Sequence, residues 1–173
     1  MLGILRKFEY QDYLAREETK HNTAGKQGKT KCVKCGYCCL KRPCCPTPDE
    51  FYKIAEYLKL TPTQALKKYF VIDSYTTDGT KFIFPAKTTQ LDITARYIPS
   101  DRTFDKRYCV FFDKKKGCKI YSVRPQTAKV QQCWGKDAEP TNSIKKWEGF
   151  DFEKLGVAST DLEDNNNDYG EDY

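Results

Sequence analysis

Nine cysteines offer the most distinctive chemistry in this chain of 173 residues. Six lie in one early stretch and three follow much later: Cys32, Cys35, Cys38, Cys39, Cys44 and Cys45, then Cys109, Cys118 and Cys133. Two residues between successive cysteines let both thiolates reach one ion across a tight turn. Thiolates are soft ligands, which select zinc, copper(I) or iron–sulfur clusters over magnesium or calcium. The spacing therefore predicts a metal centre built from cysteine.

The early run, Cys32-x2-Cys35-x2-Cys38-Cys39, is close in spacing to the bacterial ferredoxin pattern. Repeated spacings of two residues between cysteines favour an iron–sulfur cluster, with 4Fe–4S as the preferred type and zinc as the alternative. The fourth ferredoxin position falls on Arg42, so a further ligand must come from elsewhere in the chain. We expect one centre that combines the run with distal ligands: Cys32, Cys35 and either Cys38 or Cys39, with Cys109, Cys118 and Cys133.

Positive charge surrounds the early run. Residues 26–42 contain no acid and six bases: Lys26, Lys29, Lys31, Lys34, Lys41 and Arg42. Nearby cations lower the pKa of a thiol and stabilise the metal-bound anion. The chain has one histidine, His21, and no recognisable pairing of carboxylates or of a nucleophile with a base. The sequence thus predicts metal binding and leaves open whether the centre is that of an enzyme.

Composition points to a polar protein of a reducing compartment. The mean hydropathy is −0.76, and no apolar run approaches the length of a membrane span. The first residues lack the pattern of a signal or transit peptide. An odd number of cysteines cannot close fully into internal disulfides, which a reducing compartment would not preserve. We expect a cytoplasmic location or another reducing compartment.

Charge is unevenly distributed along the chain. Residues 160–173 contain six acids and no base, so the net charge of +6 leaves +12 on the other residues. Metal–thiolate centres are anionic and can balance part of this basic excess. Nucleic-acid binding is a weaker alternative, supported by charge alone. We expect residues from Ser159 onward to be an acidic tail that is disordered unless a partner holds it.

The sequence predicts three helices, with the clearest signals just after the early cysteines. Residues 2–19 read as an amphipathic helix with a stripe of Leu5, Phe8, Tyr13 and Leu14. Two capping boxes, beginning at Thr47 and Thr61, predict short helices with these buried faces: Phe51, Ile54, Ala55 and Leu58, then Ala65, Leu66, Tyr69 and Phe70. We divide the chain into residues 1–25 (helix and linker), 26–158 (cysteine-rich domain) and 159–173 (acidic tail).

Short β-like runs follow the helices. They are Val71-Ile72, Lys81-Phe82-Ile83-Phe84 and Leu91-Asp92-Ile93. The runs that begin at Cys109 and end at Tyr121 flank a Lys-rich turn, which suggests a hairpin, and Arg124-Pro125 begins another element. We predict an α+β fold: a small, irregular, metal-organised domain with short helices and one or two hairpins.

Taken together, these motifs resemble the YkgJ-type CxxCxxCC family, described as zinc- or iron-chelating and similar to iron–sulfur oxidoreductases. Three stretches carry the resemblance: the early run with its capped helix, the Leu58–Pro62 link, and the segment from Cys109 to Arg124-Pro125. The family pattern continues with a cysteine and an arginine, where this chain has Ala128-Lys129, and ends with a cysteine matched by Cys133. Cys44 or Cys45 is then expected to replace the missing ligand.

The resemblance implies metal ligation more firmly than any reaction. Our first hypothesis is that the metal centre organises the fold of an accessory subunit that docks on a larger protein assembly. The alternative is an iron–sulfur-dependent oxidoreductase or protein-modifying enzyme of the same family.

Overall fold

A computed structural model of the chain describes residues 7–17, 36, 39–40, 44–99, 102–103, 105–130 and 140–163. Within these ranges the fold is α+β, as predicted: a small irregular domain with short helices and two antiparallel hairpins. None of the helices in this part of the chain is both long and apolar enough to cross a membrane.

The named elements follow one another closely along the chain. They are α1 (residues 7–17), α2 (Pro48–Tyr57), α3 (Pro62–Tyr69), β1 (Phe70–Ser74), β2 (Lys81–Pro85), β3 (Phe112–Asp113), β4 (Gly117–Cys118), α4 (Gln126–Val130) and α5 (Thr141–Lys145). Short 3-10 turns lie between or after them, at Leu91–Ile93, Tyr121–Val123, Glu153–Leu155 and Ser159–Leu162.

Both predicted capping boxes are confirmed. The Thr47 hydroxyl accepts from the Glu50 backbone N–H, and the Glu50 carboxylate accepts from the Thr47 N–H at 2.9 Å. Thr61 and Gln64 make the same reciprocal pair at the start of α3. Each pair satisfies two N–H groups that a helix start would otherwise leave unpaired. Local sequence therefore fixes where both helices begin.

The first hairpin continues directly from α3. Phe70 ends the helix and starts β1, which pairs with β2 in a register that places Phe70 opposite Pro85 and Ser74 opposite Lys81. The predicted runs at Val71-Ile72 and Lys81–Phe84 are thus confirmed as strands. Their apolar side chains are largely buried, so the hairpin closes one side of the core.

Aromatic side chains join the helices to the later part of the chain. Phe51 of α2 packs edge-on against Phe70 with ring centroids 5.2 Å apart, and Phe70 lies 5.8 Å from Phe111. Trp147, only 1% exposed, packs on Phe51 and stacks on Phe152. One cluster thus contains residues from α2, β1, the second hairpin and the segment after α5.

Two predictions about single segments are wrong. Leu91–Ile93 is a 3-10 turn and not a strand, because its backbone bonds close locally: the Ile93 N–H donates to the Gln90 carbonyl at 3.2 Å. Ser159–Leu162 is also a 3-10 turn and not the start of a disordered tail. Here the Tyr97 N–H donates to the Asp161 carbonyl at 2.8 Å. Residues 164–173 lie outside the described part.

The N-terminal helix is confirmed at residues 7–17, but its buried face differs from the predicted stripe. Phe8 is 61% exposed, whereas Tyr10 is 7% exposed. Tyr10 is the better anchor because its hydroxyl donates to the Leu40 carbonyl at 2.9 Å, a bond that phenylalanine lacks. Leu5 lies outside the described residues, and the boundaries at residues 25 and 158 stay a prediction.

Candidate metal centre

The structure describes five of the nine predicted ligand residues: Cys39, Cys44, Cys45, Cys109 and Cys118. Cys32, Cys35, Cys38 and Cys133 lie outside the described residues. Among the residues that are described, no three His, Cys, Asp or Glu side chains are grouped so that they could hold a metal ion. A centre in this fold would therefore have to use cysteines from the undescribed segments, and the ligand assignment stays a prediction.

One backbone hydrogen bond joins the early run to the distal cysteines. The Cys109 N–H donates to the Cys39 carbonyl at 3.0 Å. Cys39 is half-buried in a helical turn, and Cys109 is 6% exposed. Both side chains belong to the main core cluster or pack against it. The fold thus places the backbone of Cys39 directly beside that of Cys109, although the two residues are far apart in sequence.

Gly36, which lies inside the early run, contacts the hairpin that carries Cys118. Its backbone has a φ of +82° and lies against the ring of Phe112, so closely that a Cβ at this position would come within 2.2 Å of a ring carbon. Phe112 is the register partner of Cys118 in the pairing of β3 with β4. Glycine is required here both for the left-handed backbone and for the close approach.

The turn of this second hairpin is built by its own residues, as the sequence predicted. The Asp113 carboxylate accepts from the N–H groups of Lys115 and Lys116 at 2.8 and 2.9 Å, and Gly117 has a φ of +79°. Donation from these two N–H groups lowers the pKa of Asp113. The strands, at two residues each, are shorter than the flanking apolar runs suggested.

Burial affects the protonation of Cys118. Removal from water raises the pKa of this thiol, and the Ile120 N–H and the Arg124 guanidinium oppose that shift. Because the effect of burial is the larger one, the Cys118 side chain is a neutral thiol at neutral pH when no metal ion is bound. Coordination to a metal ion deprotonates a thiol outright and would remove this preference.

The segment Cys44-Cys45-Pro46 is fixed by two later parts of the chain. The Thr127 hydroxyl donates to the Cys45 carbonyl at 2.9 Å, and the Trp147 indole N–H donates to the Pro46 carbonyl at 2.7 Å. Cys45 is 3% exposed and belongs to the core, whereas Cys44 is half-buried. Because Thr127 precedes Ala128, this cysteine pair lies beside the helix in which the expected family cysteine is missing.

Sequence reasoning missed a buried polar pair, Lys87 and Tyr10. Lys87 is 2% exposed, and its ammonium donates to the Tyr10 hydroxyl at 2.8 Å and to the Asp105 carbonyl at 2.6 Å. Burial lowers the pKa of Lys87 to about 8, although Asp105 and Cys109 act in the opposite direction. No sequence signal marks Lys87, because a lysine between loop residues is ordinarily exposed.

Comparison with known families finds a match over most of the chain. The family model described as "CxxCxxCC: Putative zinc- or iron-chelating domain" matches residues 31–151, which is most of the chain. The match contains all nine cysteines and ends in the segment after α5. No curated protein and no solved structure matches the chain.

Proposed function

This chain belongs to the CxxCxxCC family of zinc- or iron-chelating domains, and on that premise we propose that its cysteines bind one metal centre that organises the fold. The preferred occupant is a 4Fe–4S cluster, with zinc as the alternative. When bound, such a group supplies strong bonds between segments that are far apart in sequence. The chain's own residues hold those segments in place.

The observation that carries this proposal is the hydrogen bond from the Cys109 N–H to the Cys39 carbonyl. Cys39 is the last residue of the early run, so the bond brings the run beside the first distal cysteine. The contact of Gly36 with Phe112 supports the same arrangement, because Phe112 pairs with Cys118. Thiolate-rich surroundings of this kind suit zinc or iron–sulfur centres.

We propose Cys44, and not Cys45, as the substitute for the cysteine that Ala128 lacks. Cys45 is packed in the core, and its thiol is directed to the Pro46 carbonyl at 3.6 Å. Cys44 is half-buried in the same segment, which the Thr127 hydroxyl holds next to Ala128. A core cysteine serves as a small hydrophobe, whereas a ligand must be able to reach the ion.

Anaerobic purification followed by metal and sulfide analysis and an absorption spectrum tests the centre itself. A 4Fe–4S occupant gives a brown protein with about four irons per chain. A zinc occupant gives a colourless protein with zinc at about one ion per chain. A chain that holds neither metal, and takes up neither on reconstitution, contradicts the proposal.

Cysteine variants test the ligand set. Cys118→Ser and Cys109→Ser are expected to release metal and to unfold the domain, because ligation free energy is folding free energy in such folds. Cys44→Ser should lower metal content, while Cys45→Ala should keep metal and lose about 1 kcal/mol of stability through weaker packing. If Cys109→Ser and Cys118→Ser keep full metal content and melting temperature, the centre is local to residues 32–45.

We also propose that the chain is an accessory subunit, which docks through the basic surface around the second hairpin. Lys114, Lys115 and Lys116 are exposed on the turn. Tyr121, which follows β4 in the sequence, is 44% exposed, and the Arg124 guanidinium lies 4.1 Å from its ring. Tyrosine and arginine are enriched in protein interfaces, and clustered lysines attract an acidic partner. The expected partner is therefore an acidic protein surface.

Charge reversal tests the docking surface. The chain purified from its own cells should elute as part of a larger assembly, and the variant with Lys114, Lys115 and Lys116 changed to Glu should elute alone with its metal content intact. Reversal of Lys67 and Lys68, which are exposed on α3, is the matched control. Elution of the unchanged chain as a monomer would contradict the accessory role.

A further inference from the structure

The ammonium of Lys87 is buried, and within the described part of the chain it makes no direct ion pair. Both of its hydrogen-bond acceptors, the Tyr10 hydroxyl and the Asp105 carbonyl, are neutral groups. The Asp105 carboxylate is instead bonded to Arg102 Nε at 3.0 Å, and no carboxylate among the described residues forms an ion pair with Lys87. The Tyr10 ring, 4.3 Å from Lys87 Nζ, offers only a partial negative charge. A buried charge without a direct ion pair is costly, so this arrangement requires an explanation.

The nearest candidate for an anion is Cys109, which pairs with Lys87 in an isolated antiparallel bridge. Val110 N–H donates to the Ala86 carbonyl and Thr88 N–H donates to the Tyr108 carbonyl, at 2.9 and 3.1 Å. These flanking bonds make Lys87 and Cys109 a non-hydrogen-bonded pair, the geometry in which opposite side chains are closest and lie on one face. The charge of Lys87 is thus placed on the same face as the thiol of a proposed ligand.

We propose that Lys87 is the charge-balancing residue of the cysteine centre, with Tyr10 of the N-terminal helix holding its ammonium in place. The inference rests on the proposed function. A zinc ion with four thiolates carries a net charge of −2, and a thiolate-ligated cluster is likewise anionic. An ammonium on the Cys109 side stabilises that charge, and the bound centre in turn adds negative charge on the face where Lys87 lies.

The Tyr10 hydroxyl joins both parts of this arrangement. It accepts from Lys87 Nζ at 2.8 Å and donates to the Leu40 carbonyl at 2.9 Å. Leu40 follows Cys39, whose carbonyl accepts from Cys109. The N-terminal helix is therefore part of the outer environment of the centre. Residues in such a position orient ligands and tune the metal, and their loss commonly weakens metal binding 10- to 100-fold.

The test is cobalt(II) binding to the full-length protein, followed by its visible thiolate bands in competition with a chelator. Lys87→Met keeps the length of the side chain and removes the charge, and should weaken cobalt affinity by about ten-fold with unchanged band positions. Lys87→Arg keeps the charge and should stay within about three-fold of the unchanged protein. Lys106→Met is the control. Lys106 also contacts the N-terminal helix, through an ion pair with Glu9, but it is exposed.

A second readout separates charge from packing. In the protein reconstituted with iron and sulfide, Lys87→Met should lower the reduction potential, because an added electron loses a nearby positive charge. A purely structural Lys87 would leave the potential unchanged and would make the larger arginine at least as damaging as methionine. Equal cobalt affinities for Lys87→Met and the unchanged protein would also overturn the inference.

Tyr10→Phe keeps the inference testable if Lys87→Met does not fold. Loss of the hydroxyl should weaken cobalt binding by about three-fold, and an unchanged affinity would overturn the inference. If the unchanged protein binds no cobalt, zinc or iron, the proposed function fails. If it binds metal and the Lys87 variants behave alike, only the charge-balancing role fails.

Discussion

The capped-helix half of the molecule, residues 47–85, and the cysteine half, residues 36–45 and 105–130, are held together in different ways. In the capped-helix half, neighbours in sequence satisfy one another: Thr47 with Glu50, Thr61 with Gln64, and β1 with β2 in continuous register. In the cysteine half, two-residue strands and single long-range hydrogen bonds do this work. Within the described residues, the first half is an ordinary small α+β core, whereas the second relies mainly on long-range contacts, apart from the local turn that Asp113 builds.

On the proposed function, the difference indicates where a bound metal would add most stability. Local caps stabilise the capped-helix half, and the core cluster, which also contains Cys45 and Cys109, joins it to the cysteine half. The cysteine half depends on contacts that ligation would reinforce, such as the bond from Cys109 to Cys39. Substitutions in the two halves should therefore separate into effects on global stability and effects on metal retention.

The largest effect is expected from Trp147→Ala, since this side chain serves both halves. It packs on Phe51 of α2 and donates to the carbonyl of Pro46, next to the cysteines. Removal of a buried aromatic ring of this size costs about 3–5 kcal/mol, so we expect lower stability and loss of metal together. Urea unfolding measures the first and metal analysis the second. Trp147→Phe, which keeps most of the ring, should lose about half as much, and a cost below about 1 kcal/mol for Trp147→Ala would break the comparison.

Gly36→Ala should damage the cysteine half selectively. A left-handed backbone costs an alanine about 1–2 kcal/mol, and the new Cβ must also displace the Phe112 ring, for a total of about 2–4 kcal/mol. Gly79→Ala is a matched control: its φ is +72°, close to the +82° of Gly36, but nothing lies within 4 Å of the added Cβ. Thermal unfolding and metal content should both be more affected at Gly36. Equal effects at the two glycines would show that the ring contact is unimportant.

Thr61→Ala should lower the stability of the capped-helix half and leave the cysteine half unaffected. The substitution removes the N-cap of α3 and should cost about 1 kcal/mol of unfolding free energy, because the Gln64 N–H loses its acceptor. Thr61→Ser, which keeps the hydroxyl, should restore most of that stability. Metal affinity should be unchanged in both variants, and a parallel loss of affinity would mean that the two halves are not separable.

The smallest effect is expected at the ion pair in the segment between the halves. The Arg102 guanidinium lowers the pKa of Asp92 below its ordinary value. The pair therefore stabilises the fold fully when the pH is above the ordinary pKa of an aspartate. This stabilisation is lost as the pH falls through the lowered pKa of Asp92. Asp92→Asn should therefore melt slightly earlier than the unchanged protein at pH 7. The two melting temperatures should converge in acid, and a gap that persists below the lowered pKa would contradict this explanation.

Sequence reasoning succeeded where residues act on their near neighbours. Both capping boxes, the strands around Val71 and Phe82 and the Lys-rich hairpin turn were predictable, because their determinants lie within a few positions. The 3-10 turn at Leu91–Ile93 was not, since it follows Gln90, whose buried side chain donates to the Arg102 carbonyl twelve residues away. Tyr10 and Lys87 were missed for the same reason, because their burial depends on partners 30 and 77 residues distant.

For the candidate centre, the cysteine spacing predicted metal chelation, whereas the contacts that hold the cysteine segments in place were visible only in the fold. Nothing in the sequence connects Gly36 with Phe112 or Thr127 with Cys45, because such contacts depend on how the whole chain closes. The distinction between Cys44 and Cys45 also needed burial, which two adjacent cysteines in a loop do not reveal. The complete ligand set stays a prediction.

The long-range supports of the Cys44–Pro46 segment bear on the order in which the chain is synthesised. The partners that hold Cys45 and Pro46 lie 82 and 101 residues later in the sequence. On a ribosome that adds roughly 5–20 residues per second, the six early cysteines are made several seconds before Thr127 and Trp147 exist. During that interval the Cys44–Pro46 segment lacks these two partners, and its thiols are open to oxidation or to the wrong metal. Newly made chains therefore depend on a reducing environment, or on early delivery of the metal, before the fold can protect them.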